Sequence, residues 1–570
     1  MHILYSDISV CLYFFTCLSL LVAYLQILSK YPPKINTKGI KHLYNTSLLF
    51  LFSKCAQIVP LTGGQKDMTP PKLLSVYPPN YSKQQSPTTI TFQFDEKIQL
   101  LNPHNNIIIT PRTESSLQWQ IKNKSLQINL PKDLKPNTTY KILFNKTIAD
   151  LSEKNTIDYL EYIFSTGKTI DSLYIKGIIK NAYTQNPEKH ILLMLYEADT
   201  NDSIVLKEKP LYFTYSHENG EYNLKNLPHK SFQIFAISDH NNNFLYDPIK
   251  EKIGFTERPV NPETDSIVNF FIAEEQPLKN ALKKYDAVNS NQINLIYTYP
   301  DKFYLKNQNK NWYLINDSLY SDTCKLFVQN TDTATLLIQN STQTDTVQIT
   351  RPLHKKQEKK YTLKNQYNQK QPYYLPLLVQ SNFWIDSATV IKKTLFYKNK
   401  DSTHSIDITP YITLFPHQII LSYPFEQNTT YTIKLPVKST DTKDSMIYQK
   451  IIFTTNTPEE YAQLKINILL PDKKNYILAL CNMQHKILYQ TYIQRPIAAS
   501  NQQSVEFKNL IPDTYLLKLI QDDNQNYKWD THQFILHKPK KQFAEKIFMY
   551  PKPIKLINNW EVVLDWKEIK

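Results

Sequence analysis

Apolar and polar residues alternate along most of the chain from about residue 70 onward. In "TITFQFDEKIQL" Ile90, Phe92 and Phe94 alternate with Thr91, Gln93 and Asp95. A period of two puts one set of side chains on the buried face of a strand and the other toward water. "SLQINL" (125–130), "TTYKILF" (138–144) and "YLEYIFST" (159–166) repeat the pattern, separated by Asn, Asp, Pro and Lys turns. The texture continues in "IKGIIKNAY", "HILLMLYEA", "GEYNLKNLP" and "SFQIFAISD" (173–275), and in "INLIYTY", "KLFVQN", "ATLLIQN" and "DTVQIT" (292–351). Short strands at fairly regular spacing predict a mainly β chain of tandem antiparallel β-sandwiches.

The pattern then repeats. "NTTYKILF" (137–144) returns as "NTTYTIKL" (428–435), and "YIFSTG" (162–167) as "IIFTTN" (451–456). "LKNLPHKSFQIFAISDHNNNFLYD" (224–247) aligns without a gap on "FKNLIPDTYLLKLIQDDNQNYKWD" (507–530). Different motifs recurring in one order imply a tandem duplication of a larger sandwich followed by a smaller one.

The amino terminus has another character. Residues 3–28 are apolar enough and long enough to span a bilayer, and Lys30, Lys34, Lys38 and Lys41 follow them, which keeps residues 30–42 on the cytoplasmic side. A shorter apolar run, Leu43–Ser53, ends near Cys55. Lys34–His42, Leu43–Ser53 and Cys55 have the order of the charged region, apolar core and lipidation point of a bacterial lipoprotein signal. Lys54 departs from the small residue such signals place before the cysteine. The alternative is a plain signal anchor with an unmodified thiol at Cys55.

Composition narrows the chemistry. Seven glycines among 570 residues cannot assemble a glycine-rich dinucleotide turn or phosphate loop. The net charge of +15 comes mostly from lysine: arginine contributes only Arg112, Arg258, Arg351 and Arg495 of the 66 basic residues. Scattered lysines make a solvated surface rather than a nucleic-acid reader, so no nucleic-acid partner is expected. The five cysteines form no CxxC pair and no zinc-spaced cluster.

Nothing in the motifs points to catalysis. Neither G-x-S-x-G nor H-E-x-x-H occurs. His532 and His537 are five apart, which on a strand puts them on opposite faces. Tyr212, Phe213, Tyr215 and Trp312 are read as cross-strand packing rather than as a sugar platform. The most suggestive feature is D-x-N-x-N-x-x-x-D, present as Asp239, Asn241, Asn243, Asp247 and again as Asp522, Asn524, Asn526, Asp530. Alternating oxygens suit calcium. Phe244 and Tyr527 stand where an EF-hand has glycine, and no glutamate follows at the twelfth position. The same residues also close Asx turns on their own backbone, so the expected cofactor is either none or calcium.

"TGGQKDMTPPKLLSVYPPN", then "ITFQFDEKI" and a strand ending "FST", resembles the bacterial Ig-like domains of S-layer protein SbsA. It is similar in particular to large Bacteroidetes envelope lipoproteins in which that domain follows the lipidated cysteine. The "Y-x-L-x-N-L…D-x-N-x-N-x-x-x-D" unit resembles a transthyretin-like or carboxypeptidase-regulatory-like sandwich, with Val505 replacing the leading tyrosine in the second copy.

The expected organisation is an anchor and signal region with a lipobox (1–55), a tether (56–69), an SbsA-type Ig-like domain (70–168) and a transthyretin-like sandwich (172–275). A further β-rich domain (283–352), a Lys/Gln-rich linker (353–371), a second Ig-like domain (372–456), a second transthyretin-like sandwich (461–551) and a closing strand or tail (552–570) come after these. The expected function is non-enzymatic: a cell-envelope lipoprotein, outer-membrane or else inner-membrane anchored, serving as scaffold or adhesive surface. The alternatives are a glycan- or protein-binding receptor subunit at the outer membrane and an envelope hydrolase with a carboxylate site. The membrane is the one partner named; the envelope or host protein or glycan is left open.

Overall fold

In the computed structural model, residues 67–569 are described, apart from 289–291, 308–311, 317–320, 329–332, 351–362, 382–384, 386–389, 391–392, 400–404, 439–445, 495–500 and 535–540. The expectations for residues 1–55, Cys55 among them, lie outside the described residues. No helix among the described residues is long and apolar enough to cross a membrane.

The described chain is almost entirely β, folded as tandem sandwiches. In the first, Leu73–Tyr77, Thr89–Phe94, Ser125–Asn129 and Gln118–Lys122 form one sheet, and Ile107–Thr110, Thr139–Asn145 and Tyr159–Ser165 the other. The alternation of Thr89–Phe94 is realised directly: Ile90, Phe92 and Phe94 are buried, their neighbours half-buried. Phe92 meets Phe144 and Tyr162 edge-on across the sheets.

The sandwich at 363–455 has the same layout. Leu363–Asn365, Leu377–Ser381, Gln418–Leu421 and Ile412–Phe415 form one sheet; Lys370–Gln371, Met446–Thr455, Thr430–Lys438 and Leu395–Lys398 form the other. The connector expected at 353–371 therefore differs in its second half, where Leu363, Asn365 and Gln371 are buried and residues 363–365 and 370–371 pair into sheets.

The repeated "NTTY" has a physical reason in both. Asn137 and Asn428 adopt left-handed backbone (φ 50° and 47°), which asparagine tolerates. The Lys135 and Glu426 amides then donate to the hydroxyls of Tyr140 and Tyr431. Thr138 and Thr429 amides donate to Thr166 and Thr455 Oγ1, both at 2.9 Å.

The two smaller sandwiches also share one topology. Leu173–Asn181 pairs antiparallel with Glu221–Leu227 and parallel with Phe270–Glu274; Ala462–Leu469 pairs likewise with Gln502–Leu510 and Glu561–Trp566. The closing segment, expected as a strand or tail, is thus a strand of this sheet at Glu561–Trp566, with Trp566 buried in its core. Facing them, Leu192–Glu197 lies between Tyr212–Tyr215 and Phe232–Ile237, and Tyr476–Cys481 between Ile487–Ile493 and Thr514–Gln521. Lys252–Phe255 and Ile547–Met549 extend these sheets.

These facing strands do not alternate. Every residue of Phe232–Ile237 and of Tyr476–Cys481 is buried, because both faces of each sheet are covered. One face of the first small sandwich packs its own interior through Leu193, Leu195 and Ile234. Its other face, Leu192, Met194, Phe235 and Ile237, packs with Leu143 of the first Ig-like sandwich and with Phe534 from the second small sandwich. The first Ig-like sandwich and the two small sandwiches thus share buried surface.

Candidate functional site

The two acidic–amide loops come directly after the Phe232–Ile237 and Thr514–Gln521 strands and fold alike. Asp239 accepts from the amides of Asn243 (3.2 Å) and Phe244 (2.9 Å), and Asp522 from those of Asn526 (3.1 Å) and Tyr527 (3.0 Å). Asn243 and Asn526 amides also donate to Asn241 and Asn524 Oδ1. The Asn241 and Asn524 amide groups donate to Asp247 and Asp530. Phe244 and Tyr527 sit at φ 63° and 64°, so aromatic residues make the turn for which an EF-hand uses glycine.

A glutamate completes each loop. Glu251 accepts from the amides of His240 and Asp247, both at 3.0 Å; Glu545 accepts from those of Asp523 (2.9 Å) and Asp530 (3.0 Å). Both are buried. Burial raises the Glu251 carboxyl and, with Asp530 and Asp522 nearby, pushes Glu545 up to about 8. Neither residue belongs to the repeated nine-residue motif. A signal for them exists all the same: both open the tripeptide Glu-Lys-Ile, at 251–253 and 545–547.

The all-oxygen donor set of each loop suits a hard cation, yet its carboxylates are engaged by the loop's own N–H groups. Among the described residues no group of three or more His, Cys, Asp or Glu is placed to hold a metal ion. Of the aromatics read as packing, Tyr212 and Phe213 are buried against Phe232 and Phe244, while Trp312 is half-buried and packs against the core at 293–347.

The two loops lead into segments of different length. Asp247 and Glu251 are four residues apart, Asp530 and Glu545 fifteen, so the second copy carries eleven more residues before its next strand. The residues of that insertion on either side of 535–540 form an arm laid on the first small sandwich. Thr531 Oγ1 donates to Glu274 O (2.6 Å), the Phe534 amide donates to Glu275 Oε1 (2.9 Å), and Lys541 pairs with Asp202 (3.0 Å). Phe534, 1% exposed, stacks on Phe255 at 4.8 Å and meets Phe235 edge-on.

His532 is locked as a neutral imidazole. Its Nδ1 accepts from the Ala544 amide (2.9 Å), so Nε2 donates to Phe271 O (2.8 Å). Burial holds its pKa down at about 4. His537, its expected counterpart on the opposite face, lies outside the described residues.

Beside the arm the first small sandwich, the residues after it and the second loop enclose a cleft of about 670 Å³. Tyr183, Trp529 and Tyr299 line it, together with Ile249, Glu274 and Asp530. Trp529 Nε1 donates to Glu545 O (2.9 Å), and the Tyr183 and Trp529 rings lie 5.0 Å apart.

Residues 67–166 match the family profile of a bacterial Ig-like domain. No curated protein matches the chain in sequence. Among solved structures the chain is similar to the N-terminal part of the bacterial S-layer protein SbsC (14% identity, 30% of this chain and 42% of that one, TM-score 0.13). It is also similar to domains 1–6 of surface layer protein SbsC (11%, 86% and 68%, 0.13) and to BcpA, the major pilin subunit of Bacillus cereus (9%, 70% and 99%, 0.14). The chain therefore spans less than half the length of the first of these structures.

Proposed function

We propose that this chain is a non-enzymatic cell-envelope protein, a scaffold of β-sandwiches that carries an interaction surface outside the cytoplasm. The observation that supports this most is the bacterial Ig-like domain at 67–166, opening directly after a segment with the order of a lipoprotein signal. On this reading Cys55 carries lipid, the chain belongs to the Bacteroidetes type of outer-membrane lipoprotein, and interlocked sandwiches hold the surface in a fixed shape. Labelled fatty acid should mark the wild type and not Cys55→Ala; equal labelling of both refutes the anchor.

The acidic–amide loops are read as self-closed Asx turns. Calcium is the competing reading: it predicts a rise in melting temperature on calcium addition that vanishes in Asp239→Ala/Asp522→Ala, whereas the Asx-turn reading predicts no rise. A second functional reading, a glycan- or protein-binding receptor subunit, is favoured by the aromatic-lined cleft. The hydrolase reading has less support, since Glu275 in that cleft accepts from the Phe534 amide and Tyr246 hydroxyl.

A further inference from the structure

The geometry points to the cleft beside the arm as a binding site for a neutral oligosaccharide, stacked on Trp529, Tyr183 and Tyr299. This deepens the receptor reading and rests on it, but it is independent of Cys55 and of where the chain is displayed. The cleft's size falls within the roughly 300–1,000 Å³ of small-molecule sites, enough for a short run of pyranose rings.

Three observations carry the assignment. The first is that two of the rings are fixed before any ligand arrives. Trp529 is held through its Nε1 on Glu545 O. Tyr183 is held by its hydroxyl on His485 O (3.2 Å) and by Lys518 Nζ, 3.6 Å from the ring centroid. Both rings are half-buried against the core at 477–547, so only the part of each that lines the cleft is offered to a ligand, and rings already bonded at their polar tips lose little freedom on binding. The C–H face of a pyranose is a flat apolar partner for such surface, and its rim of hydroxyls needs donors and acceptors around it.

The second is charge. The lining carries three lysines (Lys252, Lys283, Lys528) and three carboxylates (Glu274, Glu275, Asp530). Opposite charges interleaved around one cleft give no field of one sign to draw an anion or a cation. Glu275, Asp530, Lys252 and Lys283 are already bonded within the protein, so the groups left to meet hydroxyls are chiefly Glu274 and Lys528.

The third is strain at the cleft wall. Asp247-Pro248-Ile249-Lys250 is a turn closed by the Lys250 amide on Asp247 O (3.3 Å), with proline second and a positive φ third, the arrangement of a type II turn. That third position favours glycine or asparagine. Here it is Ile249, at φ 73° and 46% exposed, a conformation in which a β-branched residue is a genuine outlier. Packing does not explain so exposed a side chain. The turn is held by the Lys250 and Glu251 amides on Asp247 O and by the Asp247 amide on Glu251, and it sets the Ile249 side chain on the cleft wall, the kind of place where backbone strain concentrates.

The test titrates the full chain past residue 67 with maltotriose, cellotriose and chitotriose, read by tryptophan fluorescence and calorimetry. At least one should bind saturably, and Trp529→Ala should weaken it tenfold or more. Ile249→Gly guards against a variant that merely unfolds: it should raise the melting temperature while weakening the same trisaccharide several-fold. The assignment is overturned if none of the three binds, if Trp529→Ala binds within twofold of wild type, or if Ile249→Gly gains stability with affinity unchanged. It is equally overturned if a glucuronate-containing trisaccharide binds more tightly than the neutral ones.

Discussion

Phe235 and Lys518 occupy the same place in the two small sandwiches. Phe235 pairs with Met194 on one side and Phe255 on the other; Lys518 pairs with Ala479 and Met549. Each lies on the outer face of its sheet and is covered by the other sandwich. Phe235 is covered by an aromatic ring, Phe534 of the arm. Lys518, fully buried, is covered by Tyr183, donates to Tyr183 O (2.8 Å) and sits over its ring. One repeated unit has thus acquired an apolar seat in one copy and a polar seat in the other. The apolar seat supplies burial energy with little directional demand. The polar seat demands a particular orientation, since a buried ammonium left without its carbonyl costs far more than the pair contributes.

The largest effect should come from emptying the apolar seat. Phe534→Ala removes a fully buried ring and should cost about 3–5 kcal/mol in chemical denaturation. Phe543→Ala, whose ring also stacks on Phe255 but is 43% exposed, should cost well under half of that. Equal losses would mean that the arm is not seated through Phe534.

The next effect is a pH dependence. His532 has a folded pKa of about 4 against roughly 6.5 when unfolded. Between those values the unfolded chain takes up a proton that the folded chain refuses. Its contribution is therefore complete above about pH 6.5 and is lost as pH falls toward 4, at up to about 1.4 kcal/mol per pH unit. Urea midpoints of wild type and His532→Gln should diverge at neutral pH and converge in acid.

The smallest effect sharpens the polar seat. Burial lowers Lys518 to about 8, below its unfolded value, so from pH 8 to about 10.4 the unfolded chain holds a proton that the folded chain has released. Wild-type stability should gain from this group as pH rises through that window. Lys518→Met should lose the gain while staying within about 1.5 kcal/mol of wild type at pH 7.

How much of this could be read from the chain depends on distance along it. Strands with one wet face, such as Thr89–Phe94, announce themselves by alternation, and "NTTY" recurs because two tyrosine hydroxyls need the same left-handed asparagine turn. The runs "ILLMLY" and "FQIFAI" carry a different signal, continuous apolarity, which marks a sheet covered on both faces; as part of one uniform strand texture that signal is lost. The loop motif exposes Asp239 to Asp247 and Asp522 to Asp530. It hides Glu251 and Glu545, which reach the loops only because the next strand begins there. The arm is invisible to a gapless alignment, since the aligned segment ends at Asp530, one residue before it starts. The cleft is less legible still, as its lining comes from segments near 183, 249, 274, 299 and 529 that lie far apart along the chain.

That docking is open to a direct test. Lys541 Nζ and Asp202 Oδ1 are 3.0 Å apart across 339 residues of sequence, close enough for a carbodiimide to join them without a spacer. Zero-length cross-linking and peptide mass spectrometry should recover a Lys541–Asp202 link in the wild type and lose most of it in Phe534→Ala. Absence of that link from the wild type, with lysine–carboxylate pairs inside single sandwiches such as Lys252–Glu188 recovered normally, would contradict the account.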